Sequence, residues 1–381
     1  MSMSADKKAH LMRWYDGTLL PDELLDIMIR DQHWFPSQRI ARGQRERSFR
    51  LRAGGLPPLR IVDQDRHFDL YDYMSANAIA GLMVLKDGEV AFETYQRGLS
   101  TDTPWHSCSL AKSIASTLVG VAIKDGKIGS VDDPISRYVD IGGVYEHVTI
   151  RQLLRMNSGV RWNEDYGDPT SERRRLLDIQ TRCEAGGICD FMARLPAAAA
   201  PGKAWVYNTG ESYLVSAVVE AATGMRLWEY LSSRLWSRLG MTHDATWWTE
   251  SDGGMTISGS GMNATLGDYA RFGQFMLEEG RVGSAEFLPA GWVKDAGSPF
   301  HIEGRRVPYG YMWWIPELDD PMLQGSFQAE GIYGQYIHIN PAHRIVAVVA
   351  SARSKPSYRK RLEINDDAFF AAVARALATR P

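Results

Sequence analysis

A serine and a lysine stand three residues apart in the tetrad Ser109-Leu110-Ala111-Lys112. On a helix, residues with this spacing lie on one face, where their side chains can meet. A lysine beside a serine hydroxyl can take its proton and turn the oxygen into a nucleophile for acyl transfer. This pair is therefore the chain's strongest candidate for catalysis.

The sequence around this pair separates it from two tetrads with the same spacing, residues 4–7 and 357–360. After Ser109, apolar residues recur at helical spacing, which predicts a buried helix over residues 109–124. Burial of a first-turn lysine favours its neutral, basic form. By contrast, residues 4–7 lie in a polar terminus predicted to be disordered, and residues 357–360 in a basic stretch predicted to be solvated. The alternative is that Ser109 only caps a helix and Lys112 extends to the surface.

A second segment contains a candidate catalytic residue, a tyrosine: Trp205-Val206-Tyr207-Asn208-Thr209-Gly210. It precedes a helix that is predicted to begin at Glu211. A tyrosine on such a loop can point into a cleft. If a nearby ammonium lowers its pKa, its phenol can carry a proton to a leaving group. Because the chain has 16 tyrosines, a packing role for Tyr207 is the alternative.

A third segment, Ala329-Glu330-Gly331-Ile332, comes just before a predicted strand. Glycine at a strand entry lets the backbone approach a ligand closely. The N–H of Ile332 is a candidate for one arm of an oxyanion hole. The N–H of Ser109, at the positive end of its helix, is the candidate for the other.

Composition describes an ordinary globular chain: 381 residues, 44% hydrophobic, 23% charged, with a net charge of -3. Nothing in this balance indicates a nucleic acid or a membrane as partner. With neither a signal-peptide pattern nor an apolar run near the ~18 residues of a membrane span, we expect a cytoplasmic protein.

Other hydrolytic chemistries lack their motifs in this chain. The three cysteines, Cys108, Cys183 and Cys189, do not have zinc-site spacing, and the nine histidines form no His-Glu-x-x-His pair. We therefore expect no metal and no cofactor. The Gly-x-Ser-x-Gly elbow of α/β-hydrolases does not occur. Cys108, next to Ser109, is expected to be a small buried residue.

The predicted elements divide the chain into sheet-forming ends and a helical middle. Strands on either side of Lys86-Asp87-Gly88-Glu89 predict one hairpin, and those around Pro341-Ala342-His343 predict another. A C-terminal helix is predicted from Asn365 to Ala378. We expect an α+β fold with one antiparallel sheet from both chain ends, flanked by helices. The predicted organisation is an N-terminal extension wrapped on the body (1–75), a sheet domain (76–131 and 268–381) and an inserted, mostly helical domain (132–267).

Together, the three segments resemble those of the serine β-lactamase and penicillin-binding-protein superfamily, whose Ser-x-x-Lys box comes first. Within it the chain looks most like the branch that contains class C β-lactamases, family VIII carboxylesterases and 6-aminohexanoate-dimer hydrolases. The stretches 148–159 and 261–273 add to this likeness, which covers the chain from about residue 80. The resemblance implies a β-lactamase-like fold and a serine hydrolase acting on small esters or linear amides, with a homodimer suggested by the family.

The resemblance also implies a role for each matching residue. Ser109 would be the nucleophile, Lys112 its base and Tyr207 the proton relay, with the amides of Ser109 and Ile332 as the oxyanion hole. Substrate contacts would come from Tyr166, as a lid over the site, and from Asn263 and Gly331.

Two departures from the family pattern bear on the substrate. The second box reads Tyr207-Asn208-Thr209 instead of Tyr-x-Asn, and the third reads Ala329-Glu330-Gly331 instead of Lys-Thr-Gly. Loss of the cation should weaken binding of an anionic β-lactam. A β-lactamase, an acyltransferase and a non-catalytic ligand-binding or sensor module on the same fold remain the alternatives.

Overall fold

The computed structural model describes residues 2–30, 34–356 and 363–378. The α-helices in this part of the chain are α1 (Ala5–Asp16), α2 (Pro21–Arg30), α3 (Leu70–Ala76), α4 (Ala111–Lys124), α5 (Ile150–Leu154), α6 (Glu172–Gln180), α7 (Gly187–Ala193), α8 (Thr209–Thr223), α9 (Leu227–Tyr230), α10 (Leu266–Leu277), α11 (Trp292–Ala296) and α12 (Asp366–Ala378). The strands are β1 (Ser37–Ile40), β2 (Arg50–Leu51), β3 (Ile61–Asp63), β4 (Arg66–Phe68), β5 (Ile79–Lys86), β6 (Glu89–Tyr95), β7 (Trp105–His106), β8 (Ala245–Trp248), β9 (Met262–Ala264), β10 (Arg281–Val282), β11 (Ala285–Glu286), β12 (Phe300–Ile302), β13 (Arg305–Val307), β14 (Phe327–Gly331), β15 (Gln335–Asn340) and β16 (Ile345–Ser351).

Both hairpins predicted from the sequence are confirmed, and they meet in one sheet. Asp87 and Gly88 take φ angles of 52° and 79°, as a tight turn between β5 and β6 requires. The hairpin β15–β16 joins it through antiparallel pairing of β16 with β5. The full strand order is β14-β15-β16-β5-β6-β2. The predicted antiparallel sheet is confirmed from β14 to β6, and at one edge the short strand β2 pairs with β6 in parallel.

Alternation along the central strands gives this sheet two buried faces. On β16, Val346 and Val348 belong to the larger core, which extends to α4 and α10. Ala347 and Val349 face the smaller core beneath α12 and α3. Because side chains in a strand alternate between faces, helices pack on both sides of the sheet. The result is an α+β fold with helices flanking the sheet.

Helix α4 is apolar nearly all round and is buried from Ala111 to Ala122. It packs against α8, in the helical part of the chain, and its N-terminal turn packs against β14. The stretch 132–267 holds α5 to α9 together with β8 and β9, which form a second sheet in the order β1-β8-β9-β7. The domain boundaries given above stay a prediction.

The N-terminal segment departs from expectation. Ser4 accepts a hydrogen bond from the Lys7 amide at 3.4 Å and caps α1, so the prediction of a disordered terminus was wrong there. An N-cap serine satisfies an amide that would otherwise lack a partner, and this is the physical reason for the helix start. The other tetrad, residues 357–360, lies outside the described residues. Within those residues, no helix has the length and apolar character to cross a membrane.

Candidate active site

Ser109 lies in a tight 3-10 turn, Cys108–Leu110, and α4 begins only at Ala111. The prediction that the α-helix begins at Ser109 was therefore wrong by two residues. Cys108 has a φ of 45°, a conformation that non-glycine residues seldom adopt and that occurs at functional sites. Its side chain is buried, as expected. The turn holds Ser109 partly exposed while the next residues enter the core.

The end of β14 lies directly against this turn. A Cβ atom on Gly331 would be 2.6 Å from the Ser107 carbonyl oxygen and 2.8 Å from the Cys108 Cβ. Real Cβ atoms do not approach backbone so closely, so the contact requires glycine. Gly331 thereby brings Ile332, the next residue, beside Ser109.

Lys112 is almost fully buried, with 1% of its surface exposed. Its Nζ donates hydrogen bonds to Ser109 Oγ at 2.8 Å and to the Gly259 carbonyl oxygen at 2.8 Å. Burial lowers the pKa of Lys112 to about 7, an effect that Glu164 opposes and Arg173 strengthens. These contacts exclude the alternative of a lysine that extends to the surface.

A pKa near 7 leaves a large share of Lys112 as the neutral amine at neutral pH. A neutral amine has two N–H bonds and one lone pair. An N–H directed at the Gly259 carbonyl leaves the lone pair available to the hydroxyl of Ser109. The arrangement can therefore accept the serine proton, which is the first requirement for a serine nucleophile.

Tyr207 stands on the other side of the pair. Its ring stacks on Trp314 with centroids 5.2 Å apart, and Lys112 Nζ is 5.3 Å from the ring centroid. Burial raises the pKa of Tyr207 well above its usual range, and a hydrogen bond with Ser109 opposes that rise. The lowered pKa that would make Tyr207 a ready proton carrier is therefore not present, because burial raises the pKa. Tyr207 is suited to hold a proton and to donate it when a base forms nearby.

The loop of Tyr207 is fixed by the start of α8. This helix begins at Thr209 and not at Glu211 as predicted. Asn208 is its cap, because Oδ1 accepts from the Glu211 amide at 3.2 Å. In the changed second box, Asn208 therefore has a structural role at the helix terminus, directly after Tyr207.

A narrow cavity opens at Ser109, with a volume of about 10 Å³, room for roughly one water molecule. Its lining includes Ile332 and Tyr166, which the resemblance had selected. It also includes residues that sequence reasoning missed: Trp14, Tyr15, Arg173, Thr209, Gly259 and Ser260.

Two of the missed residues come from α1, far from the site in sequence. The ring of Tyr15 stacks on that of Tyr166 with centroids 5.5 Å apart. The Trp14 carbonyl accepts a hydrogen bond from Tyr333, in the turn after Ile332. No local motif marks these aromatic residues, because their position depends on where α1 docks. The N-terminal segment is thus part of the wall of the cavity.

Glu164 fixes the loop of Tyr166 over this cavity. Its carboxylate accepts from the Tyr166 hydroxyl at 3.0 Å, from Trp162 Nε1 at 2.5 Å and from the Thr209 amide at 3.0 Å. One carboxylate therefore joins the loop to the start of α8.

Asn263 is not brought to the cavity. It lies in β9, where it is buried, and its Nδ2 donates to Thr246 Oγ1 at 3.4 Å. Two acids, one in the loop before α6 and one on α6, have protein partners: Asp165 accepts from the Gly167 amide, and Asp178 pairs with Lys8 of α1. Within the described residues, no group of three or more His, Cys, Asp or Glu could hold a metal ion.

The third box has an acid, Glu330, where the Lys-Thr-Gly pattern has a threonine. Glu330 accepts a hydrogen bond from Gln328 Nε2 at 2.7 Å. Burial raises its pKa to about 8, so that the neutral acid is favoured at pH 7. Ala329, where the family has a cation, is fully buried. These two residues therefore offer no fixed positive charge to a substrate.

A family model and a known relative each match most of this chain. The β-lactamase family model matches residues 71–369. A 6-aminohexanoate-dimer hydrolase of Paenarthrobacter ureafaciens is 29% identical over 308 residues, which cover 76% of this chain and 77% of that protein.

Solved structures show the same fold. A protein from Bacillus anthracis described as a 6-aminohexanoate-dimer hydrolase superposes with a TM-score of 0.81 at 23% identity, covering 94% of this chain and 95% of that one. A family VIII carboxylesterase superposes with a TM-score of 0.62 at 16% identity, covering 81% of this chain and 95% of the other. At these identities the structures are evidence for the fold alone.

Proposed function

The chain belongs to the β-lactamase family and is a serine hydrolase, and from this membership we propose that it cleaves small esters or linear amides through an acyl-enzyme on Ser109. The observation that carries the proposal is the contact of Ser109 Oγ with Lys112 Nζ at 2.8 Å, with the lysine buried and its pKa lowered to about 7.

In the first step, Lys112 takes the proton of Ser109 and Oγ attacks the substrate carbonyl carbon. The new C–O bond places negative charge on the carbonyl oxygen. The amides of Ser109 and Ile332 stabilise this charge, and loss of one such donor typically costs on the order of 10²–10³ in rate. Gly331 has a supporting part, because its missing side chain lets Ile332 lie beside the nucleophile.

In the second step, the bond to the leaving alcohol or amine breaks and the leaving group takes a proton. Tyr207 delivers this proton and recovers it from the protonated Lys112. Water then attacks the acyl-serine, with the same groups acting in reverse, and releases the acid.

Esters and linear amides suit the site better than β-lactams. The absence of a fixed cation at Ala329 and Glu330 supports this preference, because β-lactams carry a carboxylate that the family's third box helps to hold. The matched relative named as a 6-aminohexanoate-dimer hydrolase supports it as well. Tyr166 is the proposed lid over the bound acyl group, whereas Asn263, which does not reach the cavity, has no direct substrate contact in this proposal.

The direct test is covalent labelling. After exposure to a fluorophosphonate, intact-mass and peptide spectra should show one adduct, on Ser109, that is lost in Ser109→Ala. Substitution of Ser113, one turn along α4, by alanine is the matched control and should keep the label. A wild-type rate of ester hydrolysis in Ser109→Ala would refute the proposal.

The substrate class is tested with p-nitrophenyl esters, nitrocefin and the linear dimer of 6-aminohexanoate. Hydrolysis of the esters or the dimer, with little turnover of nitrocefin, is the expected result. Efficient nitrocefin hydrolysis would instead indicate a β-lactamase. Products formed with added alcohols or amines would indicate an acyltransferase, and a stable adduct without turnover a sensor module. We further propose that the partner is a small-molecule substrate. We also propose that the protein is cytoplasmic and forms a homodimer.

A further inference from the structure

Arg173, on α6, is a buried cation in the wall of the cavity at Ser109, with 2% of its surface exposed. Its Nη2 donates to the Tyr15 hydroxyl at 2.5 Å. Within the part of the chain that the structure describes, its Nε and Nη1 have no hydrogen-bond partner. Buried guanidinium groups normally have their donors satisfied, so these free donors require an explanation.

This guanidinium has an ion pair with one carboxylate but no hydrogen bond to it. Its nearest carboxylate is Glu164, whose Oε1 is 3.8 Å from Nε, beyond hydrogen-bond distance. That carboxylate already accepts hydrogen bonds from Tyr166, Trp162 and Thr209. The faces of Tyr15 and Tyr166 lie 4.8 and 5.6 Å from Arg173 Cζ and orient the cation without occupying its free N–H bonds.

The position of this charge connects it with the chemistry. Arg173 and Ser109 line the same cavity, and the positive charge of Arg173 contributes to the lowered pKa of Lys112. A charge that acts on the catalytic lysine also acts on a substrate held at the serine. Arg173 comes from α6 and not from β14, so an acid that it binds lies at a different place from one held by the third box.

We propose that Arg173 is a specificity residue that binds a carboxylate of the substrate, so that the preferred substrates are esters or amides carrying an acid group near the scissile bond. The inference rests on the proposed function and narrows its substrate class. A carboxylate oxygen would accept from Nη1, and such charge-assisted bonds to arginine are short and directional. The cavity holds about one water, so the substrate acid enters when the Tyr166 side chain moves aside.

The first experiment uses the wild-type protein and two matched substrate pairs. One pair carries the charge on the acyl group: p-nitrophenyl hemiglutarate against its neutral methyl ester. The other carries it on the leaving group: 4-acetoxybenzoate against methyl 4-acetoxybenzoate. In one of the two pairs, we expect kcat/KM to be at least tenfold higher for the acid than for its neutral ester. The pair that shows this difference identifies the side of the scissile bond that faces Arg173. Equal or lower values for the acids in both pairs would overturn the inference.

The second experiment assigns the preference to Arg173. Arg173→Met keeps the length of the side chain and removes the charge. It should lower kcat/KM for the preferred acid about 10- to 100-fold more than for its neutral ester, the range expected for a charge-assisted hydrogen bond. Arg175→Met, an exposed residue on the same helix, is the matched control and should leave both values unchanged.

The outcomes separate this inference from the proposed function. Equal losses on the acid and the neutral ester would show that Arg173 only positions Tyr15 and Tyr166, and would refute the specificity role. If Arg173→Met does not fold, Arg173→Lys replaces it, and a retained charge preference with reduced magnitude is expected. Failure of the proposed function itself would appear differently, as loss of the Ser109 label with every substrate inactive.

Discussion

The ring of Tyr15, on the first helix of the protein, stacks against the ring of Tyr166 with centroids 5.5 Å apart, and both line the cavity at Ser109. Between them the two residues contact the Arg173 guanidinium. A segment outside the matched family region, which begins at residue 71, thus forms part of the candidate active site. This position leads to the first prediction.

Replacing Tyr15 by alanine should raise KM for ester substrates by roughly tenfold or more and lower the free energy of unfolding by about 3–5 kcal/mol, typical for truncation of a buried aromatic residue. Tyr15→Phe should keep most of the stability, because only the hydroxyl contact with Arg173 is lost. Steady-state kinetics and urea unfolding measure the two effects. Tyr71→Ala, at a position 78% exposed, is the control, and an equal effect there would contradict the prediction.

The rate should depend on pH through Lys112. Its pKa is lowered to about 7 by burial, and only the neutral amine can take the serine proton. As pH falls below about 7 the neutral fraction drops tenfold per unit, so kcat/KM for a neutral ester should fall with a slope of one. Above that pH the profile should level off. The measurement is a pH series of kcat/KM from pH 5 to 9.

Lys112→Arg checks the assignment of that slope. Guanidinium stays protonated at all accessible pH values, so the variant should lose activity by roughly 10²–10⁴ without recovering at high pH. Full activity of this variant, or an unchanged acid slope in Lys112→Ala, would contradict a role of Lys112 as base.

Glu211, a buried acid on α8, should limit stability at alkaline pH. One of its oxygens, Oε2, has no hydrogen-bond partner among the described residues, and burial raises its pKa to about 8. The native state therefore keeps a proton that the unfolded chain loses above its ordinary pKa. The stability contributed by protonated Glu211 is fully present below the ordinary pKa of a glutamate, and it is lost as pH rises through about 8.

Glu211→Gln removes this titration while keeping the shape of the side chain. From pH 5 to pH 9, the unfolding free energy of the wild-type protein should fall by about 2–4 kcal/mol more than that of the variant. Urea unfolding at the two pH values measures the difference. Glu229→Gln, at an exposed position on α9, should show no such difference. Equal pH dependence in wild type and Glu211→Gln would exclude Glu211 as the cause.

Gly331→Ala tests the close approach of β14 to the nucleophile turn. The added Cβ would lie 2.6 Å from the Ser107 carbonyl oxygen, so the turn or the strand must move. Displacement of the Ile332 amide should lower kcat by roughly 10²–10³, the cost of losing an oxyanion donor. In the control Gly142→Ala, the added Cβ has no atom within 4 Å. Ester kinetics of both variants decide the matter, and wild-type kcat in Gly331→Ala would refute the placement of Ile332.

Local patterns determined much of the fold and the centre of the site. The Asp87-Gly88 turn, the alternating strands around Pro341 and the apolar periodicity after Ser109 each reflect an energy that acts between near neighbours in the chain. The three-residue spacing of Ser109 and Lys112 likewise fixes their side chains on one face. These features could be predicted because they require no knowledge of distant segments.

Tertiary structure decided what surrounds that pair. The contact of Lys112 with the Gly259 carbonyl, the aromatic wall from Trp14 and Tyr15 and the buried charge of Arg173 all join segments that are remote in sequence. No spacing rule links such segments, because their meeting depends on how α1, α4 and α6 pack together. Desolvation, which sets the pKa of Lys112, is a property of that packing. The sequence by itself determined which residues could do chemistry, and only the packed structure decided the environment in which they do it.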